Sequence, residues 1–148
     1  MPAGKPRPGY FDTSVLTKCY VEEPGSDAAL AAFTRYVVVS CAIAPVELAS
    51  ALRRRRDAGD LSESGLAAID ARIRDDRAQW ELRAVDRVVL ERAEGITRSF
   101  AVRTLDALHL ASAVAVRDES GHALPFVTGD ARQRHAAVAL GLDVVFVE

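Results

Sequence analysis

At 148 residues, 49% hydrophobic and 27% charged, the chain has the balance of one globular domain, long enough to bury about two-thirds of its unfolded surface without disulfides or metals as staples. A formal net charge of −2 excludes nucleic-acid binding through a uniformly basic surface, so any such binding must come from a local patch. The apolar runs are too short and too interrupted by charge to cross a bilayer, which leaves no membrane role to assign.

Residues 1–9 are proline-rich and basic and no apolar signal core follows them, which reads as a flexible leader before a single domain over 10–148 and predicts a cytoplasmic protein. Tyr10-Phe11 then forms a short strand, curtailed by Pro8 and Gly9, that runs into Asp12-Thr13-Ser14. A helix is predicted over 15–21, ended by Glu22-Glu23-Pro24-Gly25, and Ser26 caps a second one reaching Tyr36. Val37 to Cys41 has the β-branched density of a strand buried on both faces. Pro45 occupies a first helical position with Glu47 in the first turn, and this helix ends near Gly59. Another runs from Leu61 to Trp80 with Leu66, Ile69 and Ile73 on one face, so the two make a helical hairpin. Residues 81–85 form a strand, Asp86 caps a helix that Gly95 ends or loosens, and Thr104 caps the next.

That next helix is apolar on nearly every side through Val116 and so belongs in the interior, yet it carries Asp106 in its first turn, where free N–H groups and the helix dipole favour an ionised carboxylate hidden from bulk water. Residues 124–128 make a strand leading to Gly129-Asp130, a short helix stops at Gly141, and residues 143–147 form the last strand. Strands alternating with helices imply an α/β domain with a mainly parallel sheet, helices on both faces and right-handed crossovers.

In such a sheet, ligands bind beyond the carboxyl ends of the strands, where Asp12, Glu47, Asp106 and Asp130 all fall. Carboxylates converging without matching Lys or Arg repel one another and make physical sense around a cation, and oxygen-only ligation points to Mg²⁺ or Mn²⁺. Such ions acidify a water and brace the oxygens of a displacement at phosphorus. Any one of these acids also reads as a helix cap. Thr13, Ser14 and Thr128 either position water and phosphate or are plain turn hydroxyls. His109, one turn beyond Asp106, reads as a packed, hydrogen-bonded histidine in preference to a ligand or base, and His122 and His135 as loop and surface residues.

All basic residues but Lys5 and Lys18 are arginines, a bias that reads mostly as genomic. Arg53-Arg54-Arg55-Arg56 points in all directions around a helix, so at most one or two of them face a substrate. Cys19 and Cys41 lack metal-type spacing and read as free buried thiols of a reducing compartment.

Asp12-Thr13-Ser14-Val15-Leu16 followed by 20–26, then Pro45-Val46-Glu47-Leu48-Ala49-Ser50-Ala51-Leu52, Leu105-Asp106-Ala107-Leu108-His109-Leu110-Ala111 and Phe126-Val127-Thr128-Gly129-Asp130 strongly resemble PIN-domain ribonucleases of the VapC toxin type. The resemblance runs from about Tyr10 to the end and implies a PIN-like three-layer α/β/α fold. It further implies a Mg²⁺- or Mn²⁺-dependent endoribonuclease, RNA as substrate, a homodimer, and inhibition by a small cognate antitoxin encoded beside it. By position, Asp12, Glu47, Asp106 and Asp130 would be the metal-binding, catalytic acids. The chain departs from the pattern in its leader and short first strand, and Ala131, Arg132, Gln133 and Arg134 supply no further acid for a second metal. The hairpin surface around Ile69, Ile73 and Trp80 reads first as core and second as a docking face. A dehalogenase-like phosphatase needs an Asp where Ser14 stands, and a receiver domain needs a late lysine that this chain lacks. The alternative that remains is a non-catalytic PIN-like module that binds RNA or protein.

Overall fold

The first four strands each hand over to a helix after one to three intervening residues. In the computed structural model, which describes residues 6–148, the elements run β1 (Arg7–Phe11), α1 (Thr13–Tyr20), α2 (Ser26–Arg35), β2 (Tyr36–Cys41), α3 (Ala44–Asp57), α4 (Glu63–Arg77), β3 (Glu81–Arg83), α5 (Arg87–Ser99), α6 (Thr104–Ser120), β4 (Pro125–Thr128), α7 (Ala131–Ala139) and β5 (Asp143–Phe146). Neighbouring strands all pair in parallel, in the order β3-β2-β1-β4-β5. A parallel sheet must be covered on both faces, and the pleat sorts side chains between two cores. Tyr10, Val39 and Phe126 face α5, α6 and α7, whereas Phe11, Val38 and Val127 face α1 to α4. The fold is thus three-layered, with the helical hairpin α3/α4 in the second cover, where Ile69, Ile73 and Trp80 pack.

The sequence places the start of β1 too late. Its ladder to β2 begins at Arg7↔Tyr36, so Arg7, Pro8 and Gly9 belong to the domain and not to a leader. Pro8 is tolerated there, and Gly9 is required by close approach: a Cβ at that position would lie 2.8 Å from Cγ and 2.9 Å from Cβ of Tyr36. The part of the predicted leader over residues 1–5 lies outside the described residues.

Helix boundaries also move: α1 starts at Thr13 and not at residue 15, α4 spans Glu63–Arg77 within the expected Leu61 to Trp80, and three further ends shift. Arg103 and not Thr104 is the N-cap of α6, because the Arg103 carbonyl already accepts the Ala107 amide at 2.9 Å, which makes Thr104 the first helical residue. Gly25, at φ +92°, is the N-cap of α2. Ser26 is the first helical residue, and its hydroxyl donates to the Val21 carbonyl and accepts from the Glu23 amide. Helix α5 continues through Gly95, which faces open solvent while Val89, Ala93 and Ile96 keep one side buried. Burial of that stripe outweighs the ~1 kcal/mol by which glycine disfavours a helix interior. Asp86 caps α5 as expected, accepting from the Val89 amide at 3.1 Å.

Helix α6 is buried from Ala107 to Ala115 apart from Leu108, as its composition requires. Cys19 and Cys41 are both free and buried, and burial pushes the Cys19 thiol up to about 12. No helix among the described residues is long and apolar enough to cross a membrane.

Candidate active site

Strand order places the site. β1 sits between β2 and β4, and the connections from these two neighbours leave toward opposite faces of the sheet, which opens a crevice beyond their carboxyl ends. Asp12 ends β1 and is the N-cap of α1. Glu47 is in the first turn of α3 after β2, Asp106 in the first turn of α6, and Asp130 is the N-cap of α7 after β4. A cavity of about 210 Å³ is lined by Glu47, Asp106 and Asp130 together, with Thr13, Ser14, His109, Gln133, Arg54 and Arg103 among its other walls. Asp12 lies behind this cavity, buried, and joined to it through Ser14.

Every acid is held by protein donors. The Ser14 hydroxyl and the Val15 amide donate to Asp12 Oδ1 at 2.7 and 3.0 Å, and Thr128 Oγ1 donates to Oδ2 at 2.6 Å. Burial raises the Asp12 carboxyl above its ordinary value although these three bonds favour the ionised form. Glu47 Oε1 accepts from Thr13 Oγ1 at 2.7 Å and from His109 Nε2 at 2.6 Å. Burial raises Glu47 as well, but the bond and charge of His109, with the Thr13 bond, outweigh it and hold the carboxyl below its usual range. Asp106 Oδ1 accepts from Gln133 Nε2 at 3.1 Å, and Oδ2 is 3.4 Å from Arg103 Nε. Asp130 Oδ1 accepts from the Arg132 and Gln133 amides at 2.7 and 3.2 Å.

Thr13, Ser14 and Thr128 therefore each hold an acid, and Thr128 Oγ1 also accepts from the Asp130 amide at 3.1 Å. His109 is packed and hydrogen-bonded as read, with the addition that its partner is Glu47 itself. Asp106 is only partly shielded, so the expectation that it is hidden from water is corrected: it sits at the exposed mouth of α6, whose burial begins at Ala107. The expectation of an acid cluster without cations is corrected too, because Arg54 and Arg103 share its cavity. Sequence reasoning missed Arg103 and Gln133. Their signal was present, since Arg103 precedes Asp106 by three residues and Gln133 follows Asp130 by three, each one helical turn away. His122 and His135 are exposed and do not line this cavity.

In donor chemistry the set fits a hard divalent ion, being all carboxylate oxygen at the cavity wall. In placement each carboxylate already has protein partners, and among the described residues no three His, Cys, Asp or Glu side chains converge closely enough to share an ion. The geometry is three tethered acids on the walls of one small polar cavity, with a fourth tethered behind it.

A wholly parallel three-layer domain with acids at the carboxyl edge of its central strands is the class that fold and site define. Comparison with known proteins narrows it. The PIN domain model matches residues 9–139, and the chain belongs to that family. Ribonuclease VapC46 of Mycobacterium tuberculosis is 36% identical over 137 residues, covering 92% of this chain and 95% of that protein. Ribonuclease VapC45 of Mycobacterium tuberculosis is 34% identical over 110 residues, 74% of this chain and 76% of that one. The crystal structure of VapBC2 from Rickettsia felis, bound to a DNA fragment from its promoter, superposes with a TM-score of 0.64 at 10% identity over 94% of this chain and 98% of the other. VapBC-5 from Mycobacterium tuberculosis, a member of the VapBC family of toxin–antitoxin systems, gives 0.61 at 20% identity over 96% and 100%. These last two likenesses concern the fold.

Proposed function

We propose that this chain is a divalent-metal-dependent endoribonuclease and the toxin of a toxin–antitoxin pair. The observation that carries the reading is the convergence of Glu47, Asp106 and Asp130, from three separate elements, on one polar cavity with Asp12 directly behind it. Relatives named as VapC ribonucleases across nearly the whole chain support the same reading. Asp12, Glu47, Asp106 and Asp130 would hold Mg²⁺ or Mn²⁺. A bound ion of this kind neutralises phosphate charge and makes water a usable nucleophile near neutral pH.

The chain's own part is to hold and aim those acids. Thr13 and His109 hold Glu47, while Ser14, the Val15 amide and Thr128 hold Asp12 at a depth that otherwise favours its protonated form. Gln133 and Arg103 steady Asp106 from opposite sides. A homodimer, a cytoplasmic location and a small antitoxin that closes the cavity belong to this reading. One observation favours the rival, a PIN-like module that binds RNA or protein without cutting: each acid already has protein donors and no three groups among the described residues are gathered for an ion.

The deciding experiment incubates protein freed of contaminating nucleases with structured RNAs in Mg²⁺, Mn²⁺ or EDTA, with and without the product of the neighbouring upstream reading frame. Cleavage is expected with metal, none in EDTA, and suppression by the co-purified neighbour. Cleavage that persists in EDTA removes the metal reading, and RNA binding without cleavage under any metal establishes the non-catalytic module.

A further inference from the structure

Of the four consecutive arginines at the end of α3, three are committed to acids. Arg53 pairs with Asp57 at 2.8 Å, Arg55 with Glu23, and Arg56 with Asp57 and Glu63 at 3.4 and 3.6 Å. Arg54 has no carboxylate partner among the described residues and only donates from Nη1 to Ser50 Oγ at 2.9 Å. It is also the residue common to three adjoining cavities. One is the acid-lined cavity. A second, of about 430 Å³, lies between α1 and α3 and shares Ser14 and Thr17 with it. A third, of about 390 Å³, shares Glu47 and is walled by Ile43, Val46 and Leu105. Adjoining through these shared walls, the three make a trough past the acids, with the Arg54 guanidinium where they meet and an apolar bay at one end. Val46 and Leu105, at the mouths of α3 and α6, are 73% and 47% exposed.

We infer that this trough binds single-stranded RNA, with Arg54 gripping a backbone phosphate beside the acids and the bay of Ile43, Val46 and Leu105 receiving an unstacked base. The inference deepens the ribonuclease reading and rests on it. An unpaired guanidinium between carboxylates and an apolar bay matches a ligand that alternates anionic phosphate with flat apolar base. Duplex RNA is excluded from the match, since its bases are stacked inward and cannot enter a bay beside the backbone. A protein partner needs no phosphate grip where the cavities meet, so the arginine favours RNA as the occupant.

Binding is measured in EDTA, so that no cleavage intervenes, with a fluorescent single-stranded oligoribonucleotide over a range of salt. Each phosphate contact contributes about 0.7 to the slope of log K against log salt for single strands. Arg54→Gln is expected to lower the slope by about that amount, whereas Arg53→Gln, the same charge change on an arginine paired with Asp57, leaves it unchanged. Equal effects of the two substitutions overturn the phosphate contact in favour of a diffuse field. Leu105→Gln is expected to weaken binding several-fold, with the loss vanishing for an oligomer carrying an abasic site at the position that fills the bay. A loss that persists at every abasic position overturns the base site, as does a variant that changes only self-association or binding of the neighbouring gene product. If the wild-type protein binds no RNA in EDTA, the trough fails, while the ribonuclease reading stands or falls by cleavage in metal. If the wild type binds and only the variants behave alike, the trough alone fails.

Discussion

Histidine 109 links the interior to the site. Its Nδ1 is 2.8 Å from the Tyr10 hydroxyl and its Nε2 is 2.6 Å from Glu47 Oε1, inside a pocket where the ring is fully buried. The Glu47 carboxylate, held below its usual range, can only accept, so Nε2–H donates to it, and Nδ1 meets the Tyr10 hydroxyl, whose phenol burial raises well above its ordinary value. One tautomer thus satisfies both neighbours, and Thr13 completes the donor set of the same carboxylate oxygen. Polar neighbours of metal-binding groups orient them, and their loss costs about 10–100-fold in metal affinity. Two substitutions separate the arms of the ring: His109→Gln keeps a nitrogen donor at the reach of Nε2, while His109→Asn keeps a polar atom only at the reach of Nδ1. Both are expected to lose ~1–3 kcal/mol of stability from the partner left unpaired. Calorimetric Mn²⁺ titration should show affinity near wild type in the Gln variant and at least tenfold weaker in the Asn variant. Equal affinities in the two would reduce His109 to packing. The histidine was legible in sequence as a buried hydrogen-bonding residue, but its partners were not, because Tyr10, Thr13 and Glu47 lie 62 to 99 residues away in the chain.

At the scale of elements, local chemistry announced what it governs and missed what neighbours decide. Strand β2 was legible from Val37 to Cys41 because β-branched density is a property of the strand itself. Asp86 was legible as a cap because its bond to the Val89 amide spans three residues. The start of β1 was not, since Pro8 and Gly9 look like breakers until the close approach of Tyr36 supplies the reason for a residue without a side chain. The same holds for Gly95, which reads as a stop until tertiary burial of Val89, Ala93 and Ile96 carries the helix past it. The glycine of β1 gives the sharper test. Gly9→Ala forces a methyl against Tyr36, whose own Cβ and Cγ cannot swing clear as a flexible tip would, at a cost of about 1–3 kcal/mol. Chemical denaturation should find that loss, and the same substitution made in a Tyr36→Gly background should cost much less, because only glycine there removes both the Cγ and the Cβ contact. A Gly9→Ala protein as stable as wild type would show that β1 shifts freely against β2.

Across the whole molecule, the four acids belong to segments that the sheet order gathers from far apart, so the site ties both covers of the sheet together. Asp12 and Glu47 begin helices in the cover built on α1 to α4, whereas Asp106 and Asp130 begin helices in the cover built on α5 to α7. An ion held among them would stabilise the fold as a unit, by about 2.7 kcal/mol at a hundred times its dissociation constant, because the unfolded chain keeps no such arrangement. Asp106 is the acid whose removal discriminates. Its two oxygens meet Gln133 and Arg103, so Asp106→Asn keeps its size and much of this bonding while losing ~0.3–1 kcal/mol of favourable interaction with the first turn of α6. Removing one of several neighbouring negative charges offsets that loss at low salt. In EDTA the variant is therefore expected to melt no lower than wild type. In millimolar Mg²⁺ or Mn²⁺ the wild type should rise with metal concentration, and the variant should rise less and cut no RNA. If Asp106 only tidies the start of its helix, the outcome reverses: the variant melts lower in EDTA, responds to metal as fully as wild type and stays active.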